Sequence, residues 1–279
     1  MSDKFLNKYN SPKLDERSLM LRRLIIRAFE GGGRGHLGSS MSLVEIMRAL
    51  FDKILNYDVL NPNWEKRDRL VFSKGHGCLA LYVLLAEKGF ISHNDLDTFC
   101  HFESVLGGHP EFGKIPGVEA STGALGHGLP IGVGMAIASK LKNLKNRIIV
   151  VLGDGEINEG SNWEAALSAS KHKLNNLIAI IDYNKLQSYG ETREVLDLEP
   201  LNKKWESFGF SVQEIDGHNT NQIIGSFDKN KLSKTKPNII ICHTVKGKGF
   251  PFAEHNPSWH HKSKMSFEEI NLMYECLKS

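Results

Sequence analysis

The sequence predicts an α/β protein of three layers, in which helices cover both faces of a mostly parallel β-sheet. From Arg147 to Cys242, strand-like and helix-like segments alternate along the chain, and this alternation is typical of parallel strands joined by helical crossovers. The strand candidates at 148–152 and 177–181 are also uninterrupted apolar runs. Runs of this kind are expected for strands that are buried on both faces.

The first half of the chain is predicted to be mainly helical. Apolar residues recur at helical spacing from Lys13 to Phe29, and the glycines at 31–33 mark the end of that helix. A second helix is expected to begin at Ser42, because Glu45 lies three positions later and completes a capping-box pattern. The next predicted elements are a strand at 70–72, a helix at 79–86, a long loop rich in glycine and proline at 103–122, and a helix at 125–142.

The second half continues as strands that alternate with helices. No internal repeat or linker-like segment interrupts the pattern, so one domain is expected over residues 1–279, with 1–12 as an N-terminal extension and 262–279 as a C-terminal helical segment. The predicted strands are 148–152, 177–181, 210–215 and 238–242, and the predicted helices are 163–171, 201–208, 220–227 and 266–277. A capping box formed by Ser266 and Glu269 opens the last helix.

Composition excludes several classes of protein. The 279 residues include 35 Lys and Arg against 32 Asp and Glu, and a formal net charge of +3 is too small for the basic surface of a nucleic-acid-binding protein. No apolar run approaches the roughly 20 residues that cross a bilayer, so no membrane association is expected. The 4 cysteines are far apart in the sequence, which favours reduced thiols and a cytoplasmic protein.

The segment 33–38 matches the G-x-G-x-x-G pattern of dinucleotide-binding loops. That pattern requires a preceding strand, whereas here a predicted helix precedes it, so we reject a Rossmann-type site. The functional interpretation is that His36 is held on a tight glycine turn from which it approaches a ligand. The alternative is that the loop only ends the helix.

Polar residues follow two predicted strands. Asp154 lies between Gly153 and Gly155 after the first of these strands, and Asn184 lies 30 residues later, after the second. Ligands of parallel sheets bind outside the carboxyl ends of the strands. Carboxylate and amide oxygens suit Mg²⁺ or Ca²⁺, and glycines allow backbone amides to approach a phosphate. The residues therefore predict a diphosphate held by a divalent ion, although Asp154 as a helix cap and Asn184 in a turn remain the structural alternative.

The same residues resemble a known signature. Gly153–Gly155 followed by Asn184 resembles the thiamine diphosphate-binding motif, and the segment 156–165 resembles its transketolase version. Further segments resemble transketolase motifs in the same order along the chain, and the resemblance extends from about Leu14 to His261. These segments are 35–38 (GHLG), 73–77 (SKGHG), 108–111 (GHPE), 122–128 (TGALGHG) and 246–249 (KGKG).

The resemblance implies the thiamine diphosphate-binding fold and a set of site residues. It implies that Mg²⁺, for which Ca²⁺ or Mn²⁺ can substitute, is bound by the side chains of Asp154 and Asn184 and by the backbone carbonyl of Leu186. The implied thiamine diphosphate-binding residues are His76, Gly123, Leu125, Gly153, Gly155, Glu159, Glu164, Asn184 and His260. Among these, Glu159 and Glu164 resemble acidic residues at a subunit contact.

The resemblance also implies a cluster of histidines around the substrate. Its members are His36, His76, His109 and one residue of the pair His260 and His261, of which His260 is preferred. Neutral imidazoles can donate hydrogen bonds and relay protons near neutral pH. The residue pattern alone leaves Lys246 and Lys248 as contacts of the cofactor phosphate or as solvated side chains, and it favours solvation.

Full-length transketolases consist of three domains, and this chain resembles only the first. The resemblance therefore implies the N-terminal subunit of a split transketolase, which acts with a separate C-terminal subunit that carries the pyrimidine-binding and C-terminal domains. The implied complex is an α₂β₂ assembly with homodimer contacts, and it transfers a two-carbon ketol unit from a ketose phosphate to an aldose phosphate. The alternatives are a specialised carboligase for an unusual sugar and a non-catalytic protein that kept the fold.

Overall fold

A computed structural model of the chain describes residues 9–188, 190–259 and 264–278. Its centre is a five-stranded sheet in the order β1-β2-β3-β7-β6, and every neighbouring pair in it is parallel. A short antiparallel ribbon, β4 with β5, follows β3. The strands are β1 Arg69–Phe72, β2 Ile148–Gly153, β3 Leu177–Tyr183, β4 Leu186–Gln187, β5 Gly190–Glu191, β6 Ser211–Asp216 and β7 Asn238–His243. The predicted parallel sheet is confirmed.

Helices lie on both sides of this sheet. The α-helices are α1 Glu16–Gly32, α2 Leu37–Met41, α3 Val44–Ala49, α4 Cys78–Glu87, α5 Gly128–Leu141, α6 Gly160–Lys171, α7 Thr192–Val195, α8 Leu201–Ser207, α9 Thr220–Ser226 and α10 Phe267–Cys276. Alternate residues of β2 face different helical layers: Ile149 and Val151 pack with α1, α3 and α4, whereas Val150 and Leu152 pack with α5, α6 and α8. This alternation produces the predicted three layers.

One predicted helix start is wrong. Instead of a single helix from Ser42, the chain forms α2, then α3, then one π-helical turn at Leu50–Ile54. The Ser42 hydroxyl donates to Asp182 at 2.7 Å, and the Glu45 carboxylate accepts from Arg22 at 2.7 Å. Both side chains therefore bind distant partners and form no capping box. The second predicted box is confirmed, because the Ser266 hydroxyl accepts from the Glu269 amide at 3.2 Å and the Glu269 carboxylate accepts from the Ser266 amide.

The sheet brings several loops to one edge. Gly153 at the end of β2 pairs with Asp182 near the end of β3, and Tyr183 pairs with His243 of β7. Because parallel strands end on the same side of a sheet, the loops that follow β2, β3 and β7 meet at this edge. Among residues 9–188, 190–259 and 264–278, no helix has both the length and the apolar character needed to span a membrane.

Candidate active site

The two predicted strand ends lie beside each other. The Lys185 amide donates to the Asp154 carboxylate, and the Asn184 side-chain oxygen accepts from the Leu186 amide at 3.1 Å. Asp154 and Asn184 are both buried. Asp154 also accepts from the Gly155 amide at 2.8 Å, so the capping and turn contacts of the structural alternative are present as well. The geometry nonetheless brings the three predicted metal ligands to one place.

A cavity of about 240 Å³ opens at this place. A Cβ atom built on Gly155 would lie 2.9 Å from the Cβ of Gln187, so glycine keeps the backbone open to close approach there. The predicted site residues that line the cavity are His76, Leu125, Gly153, Asp154, Gly155, Glu159, Asn184 and Leu186. Glu164 is exposed on α6 and does not line the cavity.

A buried ion pair lies beneath the strand ends. The Lys74 ammonium contacts the Asp182 carboxylate and donates to the Ser39 carbonyl at 3.2 Å, and Lys74 and Asp182 are almost fully buried. Asp182 also accepts from the Thr244 hydroxyl. Burial alone would raise the pKa of Asp182, but the Lys74 charge and hydrogen bond lower that pKa below its ordinary value. Asp182 is therefore a paired carboxylate that fixes neighbouring segments, a role that the sequence did not reveal.

The prediction that Lys246 is solvated is wrong. Its side chain is buried, and its ammonium donates to the Leu186 carbonyl at 2.8 Å. Burial is the main cause that lowers the pKa of Lys246, and the nearby Lys74 charge lowers it further. Burial raises the pKa of Asp154. The cavity thus presents an amine beside a carboxylate, which suits a ligand that combines an anion with a cation.

The donor set fits a hard divalent cation. One carboxylate, one amide oxygen and one backbone carbonyl are the oxygen ligands that Mg²⁺ accepts in proteins. In the part of the chain that the structure describes, no group of three or more His, Cys, Asp or Glu side chains is placed to hold a metal. A cation held by these three oxygens would take its further ligands from water and from phosphate oxygens. The Lys246 ammonium and the His76 ring at the cavity wall suit the phosphate groups.

Glu156 ties three segments of the site together. Its carboxylate accepts from the Gly153 amide at 3.0 Å, from the Gly126 amide at 3.1 Å and from the Ser73 hydroxyl. Burial raises the pKa of Glu156. The residue thus joins the end of β2 to the loops before α4 and α5. The only signal in the sequence was a charged residue inside the strand-end motif.

Three of the predicted histidines are brought together. The rings of His36 and His76 lie edge to face with centroids 5.5 Å apart. A Cβ atom on Gly75 would lie 2.7 Å from the Gly123 amide nitrogen, and one on Gly123 would lie 2.7 Å from the ring of His109. The turn of His76, Gly123 and the loop of His109 are therefore packed together. The predicted residue His260 and its alternative His261 lie outside the described residues.

The histidines and the acidic residues differ in their environment. Withdrawal from water lowers the pKa of His109, which favours the neutral imidazole at neutral pH. Glu159, just before α6, and Glu164, on α6, are both exposed. Leu167 on the same helix has 61% of its surface exposed. Leu167 lies one helical turn from Glu164, so this face of α6 exposes an apolar and an acidic side chain together.

Comparison with known proteins identifies the family. Residues 16–277 match the model of the transketolase thiamine diphosphate-binding domain. The chain is 44% identical over 280 residues to an apulose-4-phosphate transketolase subunit from Actinobacillus succinogenes, with 98% of this chain and 99% of that protein covered. It is 43% identical to the 6-deoxy-6-sulfo-D-fructose transketolase subunit SqwG of a Clostridium species, with 86% of this chain and 88% of that protein covered.

Solved structures agree with this result. The crystal structure of transketolase from Campylobacter jejuni superposes with a TM-score of 0.87 at 33% identity, covering 94% of this chain and 42% of that one. The chain thus spans about two-fifths of the length of that solved relative. The fold, the strand-end site and the matched family model agree, and the chain belongs to the transketolase family through its thiamine diphosphate-binding domain.

Proposed function

We propose that the chain is the N-terminal subunit of a thiamine diphosphate- and Mg²⁺-dependent transketolase, which moves a two-carbon ketol unit from a ketose phosphate to an aldose phosphate. One observation carries the proposal: Asp154, Asn184, the Leu186 carbonyl and Lys246 surround a single cavity at the carboxyl edge of a parallel sheet. This arrangement offers ligands for a cation and a counter-charge for a diphosphate.

Each part of the site has a defined task in this proposal. Asp154, Asn184 and the Leu186 carbonyl would hold Mg²⁺, and the Lys246 ammonium, which donates to that carbonyl in the structure, would turn with His76 to the phosphate groups. When bound, thiamine diphosphate supplies carbanion stabilisation, which is required for cleavage of a carbon–carbon bond. His36, His76 and His109 orient the hydroxyl and carbonyl oxygens of the sugar and move protons to and from them.

A separate C-terminal subunit is part of the proposal. Two relatives of similar length are named as transketolase subunits, whereas the solved transketolase is more than twice as long. The exposed Leu167, one helical turn from Glu164 on α6, supports a docking surface for that subunit, in an α₂β₂ assembly. Holding one end of the cofactor leaves its reactive end unpositioned, and orientation contributes roughly 7–11 kcal/mol to barrier lowering. The chain alone is therefore expected to be inactive.

A specialised sugar substrate is a second candidate. Two relatives at 43–44% identity are named for apulose 4-phosphate and 6-deoxy-6-sulfo-D-fructose, and neither compound is a common pentose phosphate. The residues at the strand ends surround the cofactor end of the site and do not select between the two substrates. We place the complex in the cytoplasm, which agrees with four free cysteines.

The test is reconstitution with the candidate C-terminal subunit encoded nearest to this chain. Thiamine diphosphate and Mg²⁺ are titrated into each separate chain and into the pair by calorimetry, and the pair is assayed with a panel of phosphorylated and sulfonated ketose donors. We expect metal-dependent cofactor binding and turnover by the pair alone. Turnover by the isolated chain at the rate of the pair would refute the split assembly, and failure of the pair to bind the cofactor would refute the function.

A further inference from the structure

The loop that carries His109 is attached to helix α4 by two buried side chains. The Tyr82 hydroxyl donates to the Gly107 carbonyl at 2.9 Å, and the Cys78 thiol donates to the Gly108 carbonyl at 3.2 Å. Tyr82 and Cys78 are both almost fully buried. The two carbonyls that they bind belong to the two residues immediately before His109, so the bonds act on the backbone from which its imidazole projects.

Both donors keep their protons at physiological pH. Burial raises the pKa of the Tyr82 hydroxyl and the pKa of the Cys78 thiol well above their ordinary values. Neither group therefore ionises, and each remains a donor to its carbonyl oxygen. The Tyr82 ring is fixed in turn by an edge-to-face contact with Phe99, whose centroid is 6.1 Å away. Both hydrogen bonds therefore do not depend on pH in the physiological range.

The same helix also fixes His76. The turn Gly75–Gly77 leads directly into α4, which begins at Cys78. Cys78 and Tyr82 are four positions apart, and residues at this spacing lie on one face of a helix. The first turns of α4 therefore set the position of the His76 turn at one end and hold the His109 loop along one side. This geometry determines the separation of the two imidazoles.

We propose that Tyr82 and Cys78 are positioning residues for His109, and this inference rests on the proposed function. The loop contains Gly107, Gly108 and Pro110, so it lacks the ladder of backbone bonds that stiffens a helix or a strand. The hydrogen bonds from α4 supply that restraint. Asp154 and Asn184 are held instead by the ends of β2 and β3, so loss of either donor leaves the metal end of the site unchanged.

The test measures the reconstituted complex with the variant Tyr82→Phe, which removes one hydroxyl and keeps the ring. We expect kcat/KM for a ketose donor to fall about tenfold, while the dissociation constant of thiamine diphosphate changes less than about twofold. In a His109→Ala background, the same substitution should change the residual kcat/KM less than about twofold. The reason is that Tyr82 affects the reaction only by positioning His109. Cys78→Ala is expected to behave in the same way.

The matched control is Tyr57→Phe, which removes a hydroxyl that donates to the Phe51 carbonyl at 3.0 Å. Tyr57 does not line the cofactor cavity, so its loss should leave kcat/KM unchanged. A loss from Tyr82→Phe that is equal in the wild-type and His109→Ala backgrounds would show a merely structural role and overturn the inference.

A second readout does not depend on activity. In the isolated chain labelled with ¹⁵N-histidine, Tyr82→Phe should shift or broaden the ring signals of His109 and leave those of the buried His218 unchanged. Unchanged His109 signals would overturn the inference, even where the wild-type pair is active. An inactive wild-type pair with shifted His109 signals would instead refute the proposed function and leave the positioning of His109 supported.

Discussion

The strand ends and the exposed face of α6 carry charged residues in opposite ways. At the strand ends, Asp154, Asp182 and Lys246 are at most 3% exposed and bind partners within the chain. On α6 and just before it, Glu159 and Glu164 are exposed carboxylates. A buried charge is tolerated only when it is paired, whereas an exposed one needs no partner. The charges at the strand ends are therefore paired within this chain, whereas those at α6 face solvent, where the proposed second subunit would bind.

A buried ionic network extends the strand-end region into the helical layer. Arg22 donates to Glu45 and also to the Lys248 carbonyl at 2.8 Å. The Val245 amide donates to His218 Nε2 at 2.8 Å, so the ring proton lies on Nδ1, which donates to Glu45. These bonds hold the residues on both sides of Lys246. The backbone position of Lys246 is therefore determined by contacts within this chain.

The largest expected effect is the fall in the free energy of unfolding when Glu45 is removed from this network. Burial alone would raise the pKa of Glu45, but Arg22 and His218 lower it well below its ordinary range, so the carboxylate is charged. Glu45→Gln leaves the buried Arg22 guanidinium without a counter-charge and should lower the free energy of unfolding by about 3–5 kcal/mol. Urea denaturation of the isolated chain measures this change.

The exposed pair Arg27 and Asp97 is the matched control for that experiment. Their side chains are 40% and 47% exposed, and a surface ion pair contributes at most about 1 kcal/mol. Asp97→Ala should therefore change the free energy of unfolding by less than about 1 kcal/mol. Equal losses from Glu45→Gln and Asp97→Ala would contradict the distinction between buried and exposed charges.

The next largest effect is expected on the affinity for thiamine diphosphate. Asp154→Ala removes the single carboxylate among the proposed metal ligands and should weaken Mg²⁺-dependent binding of thiamine diphosphate at least about 100-fold, or roughly 3 kcal/mol. Calorimetry of the reconstituted complex measures the affinity. Asp228→Ala changes an exposed aspartate away from the cavity and serves as the control. Retention of wild-type affinity in Asp154→Ala would remove the proposed metal site.

A smaller effect on activity is expected from substitution of Glu164 on the exposed face of α6. Glu164→Ala should change the stability of the isolated chain by less than about 0.5 kcal/mol, because the side chain is exposed. In the complex, the same change should lower kcat/KM about tenfold, since a carboxylate buried at a subunit contact contributes more than one in solvent. Glu206→Ala, on the exposed surface of α8, is the control. Equal activities of the two variants would place Glu164 outside the contact.

The sequence predicted the sheet and the strand-end residues because both depend on local patterns. Apolar runs identify strands buried on two faces, and parallel topology then forces their ends to one edge, so the amino-acid pattern by itself places Asp154 and Asn184 together. The glycine turn around His36 already suggested a site residue, whereas the cluster of His36, His76 and His109 was inferred from family resemblance.

The buried charges could not be predicted in this way. Lys74 and Asp182 are 108 residues apart, and nothing local to either residue indicates the other. Ser42 and Glu45 fit a capping box by spacing, but the tertiary partners Asp182 and Arg22 displaced that local arrangement. Tyr82 has the pattern of an ordinary core residue of an apolar helix, since its hydroxyl partner lies in a loop without a regular pattern.

The smallest expected effect is the pH dependence at His109, whose ring adjoins Gly123. Its pKa in the folded chain lies below the ordinary value of 6.5, because the protein withdraws the ring from water. Between that lowered pKa and 6.5, the unfolded chain binds more protons than the folded chain, so the contribution of His109 to stability rises with pH across this window and falls as the pH drops through it. His109→Gln should flatten this slope slightly. Titration of the ring signals by NMR measures the pKa directly, and a value for His109 at or above 6.5 would contradict the neutral imidazole on which its proposed proton-transfer role depends.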